Sequence, residues 1–84
     1  MELIVDTITA IKNRILQLCE SHHYTVNHLA ELSGIAPSSL KNILYGKSQN
    51  PKIITIKMLC DGLGITLAEF FDTEEFNILE QELR

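Results

Sequence analysis

The segment TVNHLAELSGIAPSSLKNILYGK, residues 25–47, predicts two short helices joined by a tight turn. Thr25 is a suitable N-cap for a first helix over about 26–33, in which apolar residues recur every three to four positions. Gly34 follows where a helix end needs positive φ, and Pro37 suits the start of the next helix because it has no N–H to leave unpaired. Gly46 ends that second helix. A connection this short makes the two helices cross at a steep angle.

Charge is distributed unevenly along the chain, which has a net charge of −4. Residues 32–60 hold no Asp or Glu, whereas residues 61–84 hold seven acidic residues and one arginine. The lysines of the acid-free part are Lys41, Lys47, Lys52 and Lys57. Such lysines are often no more than a solvated face. Their segregation from acids nevertheless favours contact with a polyanion, because a polyanion responds to charge within a Debye length of about 8–10 Å.

The remaining apolar stripes also have helical spacing. Residues 6–22 form one such stripe, capped by Asp6 or Thr7, and residues 53–63 form another, ended by Gly62 and Gly64. The sequence Thr66-x-x-Glu69 is a capping box before a further short helix.

The last helix is predicted to start within Asp72-x-x-Glu75 and to run to Leu79 or Leu83. Leu3–Val5 is the one segment that could form an extended arm. We therefore predict an all-α single domain over residues 1–84, a compact bundle of about five short helices. Its core would span residues 6–71, and residues 72–84 would form an acidic extension.

Several functional classes lack support in the sequence. Eighty-four residues suffice for one core, no apolar run approaches the roughly 18 residues of a membrane span, and the N-terminal residues lack the pattern of a signal peptide. The two cysteines have no CxxC spacing, which is typical of an intracellular protein with reduced thiols. Neither serine of the Ser38-Ser39 pair has an evident base, so we expect no enzyme and no cofactor.

A zinc site is also not expected. Cys19, His22, His23 and His28 lie close together in the sequence, but a structural zinc site needs a second pair of ligands. The two adjacent histidines are better explained as a solvated last turn of the first helix, and Cys60, on the stripe of residues 53–63, as a small core residue.

Residues 25–71 resemble the helix-turn-helix domain of Cro/XRE-type regulators, which have the lambda-repressor-like fold. The register of the resemblance spans Arg14 to Phe71. The matching positions are Thr25, Leu29, Ala30, Gly34, Ile35, Leu40, Ile43, Gly46, Pro51, Thr55, Leu59, Leu63, Gly64, Ile65, Thr66, Leu67, Glu69 and Phe70. The resemblance implies a five-helix domain whose third helix, about residues 37–45, enters the major groove of DNA.

The resemblance also implies a set of contact residues. Those facing the bases would be Pro37, Ser38, Ser39, Lys41 and Asn42, and those near phosphates would be Arg14, Thr25, Lys47, Ser48 and Asn50. Tyr45 would stack near the DNA backbone or cover the end of its helix. Two positions depart from the family pattern: Val26 replaces a frequent glutamine, and Ala36 replaces a frequent Ser or Thr cap.

The function expected from this resemblance is a sequence-specific DNA-binding regulator, cytoplasmic and encoded by a bacterium or phage. Its partners would be double-stranded DNA and a second copy of the chain, with no membrane, metal or small-molecule substrate. The alternative is a protein-interaction module, antitoxin-like or anti-regulator, that uses the same fold without base readout. For the acidic extension, docking of Phe76, Leu79 and Leu83 on the core is the preferred prediction. Its charge could also discourage non-specific DNA binding, or its apolar residues could form a dimer seam.

Overall fold

The computed structural model describes residues 5–83, which form six helices and no strand. The predicted Leu3–Val5 arm lies largely outside these residues. The helices are α1 (Thr7–His22), α2 (Val26–Ser33), α3 (Pro37–Tyr45), α4 (Ile53–Leu63), α5 (Leu67–Phe71) and α6 (Glu74–Asn77). The all-α prediction is therefore confirmed. Within residues 5–83, no helix is both long and apolar enough to cross a bilayer.

The helix starts follow from side-chain caps that the sequence predicts. Asp6 caps α1, since its Oδ1 accepts from the Thr9 N–H at 2.9 Å. Thr25 caps α2 by accepting from the His28 N–H at 3.0 Å. Thr66 and Glu69 form the predicted capping box at α5, with both hydrogen bonds at 3.0 Å.

One core joins the first five helices. Its fully buried members include Ile15 of α1, Leu29 of α2, Leu40 of α3, Leu59 of α4 and Phe70 of α5. Each lies on the apolar stripe of its own helix, so burying the five stripes together forms the domain.

The two cysteines belong to this core and are free. Burial raises the pKa of the Cys19 thiol and of the Cys60 thiol. The expectation that Cys60 packs as a small hydrophobic residue is confirmed.

Two glycines end helices where the sequence predicts it, and a third glycine corrects the prediction. Gly34 and Gly64 have φ of 69° and 73° and close α2 and α4. Gly62 was predicted to end α4 but lies inside it. A Cβ at Gly62 would lie 2.3 Å from Ser33 Oγ and 3.1 Å from Ser33 N, so the glycine permits close approach of α4 to α2.

The end of α1 is formed without a glycine. His23 has φ of 57°, the one positive φ among non-glycine residues of the described chain. Its N–H donates to the Glu20 carbonyl at 3.1 Å, and the Tyr24 N–H donates to the Cys19 carbonyl at 2.9 Å. These two hydrogen bonds satisfy two carbonyls of the last turn of α1, while His23 carries the backbone strain.

The C-terminal extension differs from its prediction. Helix α6 ends at Asn77 instead of continuing to Leu79 or Leu83. Phe76 does pack on the core, with its ring centroid 4.9 Å from that of Phe71. Leu83, predicted to dock on the core, is 86% exposed. Only the first part of the extension is therefore anchored by apolar contacts.

Candidate nucleic-acid interface

The turn between α2 and α3 sets the position of α3. After Gly34, the Ile35 N–H donates back to the Ala30 carbonyl at 3.0 Å, and α3 begins at Pro37. Leu40 is fully buried, so it fixes which side of α3 faces the core. The opposite side is solvent-exposed and presents Pro37, Ser38, Ser39, Lys41, Asn42 and Tyr45.

The exposed surface around α3 is positively charged. Within residues 5–83, Lys41, Lys47 and Lys52 are exposed and have no ion pair. Lys57 differs, because its ammonium pairs with the Asp61 carboxylate one turn further along α4. Three of the four predicted lysines therefore remain available to an anionic partner.

The N-terminus of α3 offers a backbone donor. Ala36 supplies no side-chain cap and Pro37 has no N–H, so the Ser38 N–H has no acceptor among the described residues. Only the Ser39 and Leu40 N–H groups turn back to the Ala36 carbonyl, at 2.9 and 3.2 Å. The positive end of the helix dipole adds to the attraction for an anion at this end.

Several predicted residues line one open groove. Ser39 and Asn42 of α3, Ser48 and Asn50 of the following loop, and Thr55 of α4 share it. Lys52 also lines it, although neither Lys52 nor Thr55 was among the predicted contact residues. The place of Lys52 in the acid-free stretch was a sequence signal for a contact residue. Thr55 gave no such signal, because its position in the groove depends on how α4 packs.

Asn42 lies against Gly46 at the end of α3. A Cβ at Gly46 would be 2.2 Å from Asn42 Oδ1 and 2.8 Å from the Asn42 carbonyl oxygen. The absence of a side chain at position 46 therefore gives the carboxamide its space at the exposed end of α3.

Thr25 keeps a free donor while it caps α2. Its Oγ1 accepts from the His28 N–H, and the residue is exposed, so the hydroxyl hydrogen can point to an external acceptor. This arrangement is compatible with the expected phosphate contact.

Arg14, expected near a phosphate, makes three hydrogen bonds within the domain. Its Nε donates to the Phe70 carbonyl at 2.6 Å and its Nη2 to the Glu69 carbonyl at 2.8 Å. Its Nη1 donates to Gln17 Oε1 at 2.8 Å. The guanidinium thus caps the C-terminal end of α5 and ties it to α1, so we propose a structural role for Arg14 in place of the phosphate contact.

The histidines near Cys19 do not gather as metal ligands. His22 Nδ1 lies 2.9 Å from the Leu18 carbonyl, and the Tyr24 ring lies between those of His22 and His28, with centroids 5.3 and 5.0 Å away. Across the described residues, no three His, Cys, Asp or Glu side chains are placed to hold an ion.

Comparison with known proteins agrees with this geometry. The sequence model of the Cro/C1-type HTH DNA-binding domain matches residues 14–75. The crystal structure of the prophage Lp1 protein 11 superposes with a TM-score of 0.77 at 27% identity, over 92% of this chain and 100% of that one. A chain of the SinR protein/SinI protein complex superposes with a TM-score of 0.67 at 29% identity, over 86% of this chain and 69% of that one.

No protein in the curated comparison has a significantly similar sequence. The family match covers most of the chain and includes α2, the turn and α3, whose geometry it explains. The chain belongs to the Cro/C1-type helix-turn-helix DNA-binding domain family.

Proposed function

We propose that this protein is a transcriptional regulator that binds specific sequences of double-stranded DNA with α3 in the major groove. The observation that carries the proposal is the exposed side of α3, which presents hydroxyl, amide and ammonium groups and no carboxylate. A carboxylate on that face would be repelled by the phosphates on both sides of the groove.

The side chains on α3 match the chemistry of base edges. Asn42 can pair bidentately with adenine N6 and N7, and Lys41 can donate to guanine O6 and N7. Ser38 and Ser39 can bond to a base or to a phosphate. Lys47, Ser48 and Asn50, in the loop after α3, would lie near the phosphate backbone, as would the Thr25 hydroxyl and the Tyr45 ring.

A second copy of the chain completes the proposal. One small module buries only about 600–1,000 Å² of surface on DNA, so useful affinity normally requires two modules. A homodimer would read two half-sites about one helical turn apart, and its target would be an inverted repeat. The protein would act where bacterial or phage DNA is found, in the cytoplasm.

The first test is a selection from sheared genomic DNA at near-physiological salt, followed by sequencing of the retained fragments. Enrichment of a short inverted repeat supports sequence-specific binding by a dimer. Retention without sequence preference that falls steeply with salt would reduce the proposal to electrostatic binding.

The second test assigns the base contacts. Lys41→Ala/Asn42→Ala should weaken binding to the selected site by about 1–3 kcal/mol for each lost base contact, with the fold unchanged. The matched control is Lys12→Ala/Asn13→Ala, which removes the same two residue types from α1. Equal affinities of wild type and Lys41→Ala/Asn42→Ala would refute the assignment.

A protein-interaction module is the second candidate. One structural neighbour comes from a complex of SinR with SinI, so a domain of this fold occurs together with a partner protein. Val26, Ala36 and the net charge of −4 also favour this candidate. It becomes the first choice if the selection retains no DNA at any salt concentration.

A further inference from the structure

The end of the acidic extension returns to the beginning of the chain. The Thr7 hydroxyl, at the first position of α1, donates to Glu82 Oε2 at 2.9 Å. The two residues are 75 positions apart. A carboxylate at the start of α1 is also favoured by the helix dipole, so this contact holds the extension against the domain.

Glu82 shares a cleft with the loop that follows α3. Glu82, Thr7 and the loop residues Gln49, Asn50 and Pro51 line one cleft of about 430 Å³. The proposed function places Asn50 near the phosphate backbone, so the carboxylate of Glu82 borders the surface that DNA would approach.

The charged side chains that line this cleft, Asp6 and Glu82, are both acidic. No Lys or Arg among residues 5–83 lines it. Residues 72–83 carry five acidic residues and no basic one. Among the described residues, Glu82 therefore has a hydroxyl as its partner and no cation that would neutralise it.

We propose that the C-terminal extension is an autoinhibitory element, in which Glu82, held by Thr7, places negative charge beside the 47–51 loop and weakens binding to DNA. This inference rests on the proposed function, since it needs DNA phosphates near that loop. It gives the extension a role in lowering the affinity for DNA of any sequence, because the repulsion acts on phosphates and not on bases.

The size of the effect follows from electrostatics. One unit charge at about 10 Å from a phosphate in water changes the affinity about twofold when salt is low. Screening shortens the range of this repulsion to about 10 Å at 0.1 M salt, so the effect must shrink as salt rises.

The experiment measures binding of the full chain to a short duplex of mixed sequence at about 10 mM salt, where the Debye length is about 30 Å, and at about 200 mM salt. Glu82→Gln keeps an acceptor for the Thr7 hydroxyl and removes the charge. The matched control is Glu74→Gln, because Glu74 lines a different cleft with Asn13, Arg14 and Gln17 that contains no residue of the 47–51 loop.

We expect Glu82→Gln to bind about twofold more tightly than wild type at low salt, with a smaller gain at high salt and a smaller gain for Glu74→Gln. Thr7→Val, which keeps the charge and removes the hydroxyl donor, should also tighten binding because the extension is released. The autoinhibitory role would be overturned if Glu82→Gln bound the duplex with the same affinity as wild type. Gains in affinity of equal size in Glu82→Gln and Glu74→Gln would overturn it as well. If neither wild type nor any variant binds the duplex at the lower salt concentration, the proposed function itself fails.

Discussion

α4 approaches α2 closely at Gly62 and Ser33. Substitution of the glycine by alanine tests how much stability is lost when a Cβ is added at this contact. In a helix with open space around it, Gly→Ala stabilises by about 1 kcal/mol because alanine has the higher helix propensity. Here the new Cβ would meet Ser33 Oγ at 2.3 Å and the Ser33 Cα at 3.2 Å. Both distances are shorter than the 3.5–4.0 Å at which carbon atoms attract one another.

The expected result for Gly62→Ala is a loss of stability. Overpacking costs about 1–3 kcal/mol, and a contact this short belongs to the upper part of that range, about 2–3 kcal/mol, which exceeds the gain of about 1 kcal/mol in helix propensity. We expect the free energy of unfolding to fall by about 1–2 kcal/mol. The loss arises from the Ser33 hydroxyl and, to a lesser extent, from the backbone of α2 behind it.

Ser33→Ala separates these two contributions. The Ser33 hydroxyl is buried and has no hydrogen-bond partner within residues 5–83, so its removal should stabilise the protein by up to about 1 kcal/mol. In Ser33→Ala/Gly62→Ala the 2.3 Å contact no longer exists. The new Cβ then meets only the backbone of Ser33, with its N at 3.1 Å and its Cα at 3.2 Å, so α2 has to shift less. The double variant should therefore be about 2–3 kcal/mol more stable than Gly62→Ala alone.

Urea unfolding of the four proteins followed by circular dichroism measures these differences, and the double-mutant cycle gives the coupling between the two sites. We expect a coupling of at least about 1 kcal/mol. If Gly62→Ala were as stable as wild type or more stable, the close approach of α2 and α4 would be refuted. Additive effects of the two substitutions would show that the hydroxyl is not the obstacle.

Three further predictions concern helix ends. Arg14→Leu should lower the free energy of unfolding by about 2–4 kcal/mol, because two carbonyls of α5 lose charged donors; the salt dependence of DNA binding should stay unchanged, whereas a phosphate contact would reduce its slope. His23→Gly should raise the free energy of unfolding by about 0.5–1 kcal/mol, because glycine removes the strain of φ at 57°, and a thermal melt with no increase in midpoint would contradict this. Hydrogen bonds from Thr9 hold the pKa of Asp6 below its usual value of 3.8, so the stability that Asp6 contributes is present above that pH and is lost as pH falls through the lower folded-state pKa. Asp6→Asn, which keeps an acceptor without a titrating group, should therefore lose less stability than wild type in acid unfolding, and equal losses would contradict the cap's role.

Features that depend on neighbouring residues were predictable from the sequence. The bounds of α2, the left-handed Gly34 and the start of α3 at Pro37 all follow from local backbone and capping preferences. The exposed side of α3 follows as well, because the burial of Leu40 is implied by its place in the apolar stripe.

Features that depend on distant residues were not predictable. Arg14 bonds to carbonyls 55 and 56 positions away, whereas the family resemblance implied a phosphate partner for it. A glycine near a helix end, such as Gly62, reads as a stop signal until the position of Ser33 is known. The return of Glu82 to Thr7 has no periodic pattern behind it, since it is one polar contact and not an apolar stripe.

The two buried cysteines have a practical consequence for following the motions of this protein. Thiol reagents attack the thiolate, so burial and the raised pKa values should make Cys19 and Cys60 unreactive while α1 and α4 are packed. Each thiol becomes reactive only when its own helix opens, and its labelling rate then reports the opening equilibrium of that helix. Equal rates at the two positions would indicate that the domain opens as one cooperative unit, whereas faster labelling at one of them would identify the helix that separates first. The wild-type chain thus carries two chemical reporters of its own dynamics, one on α1 and one on α4.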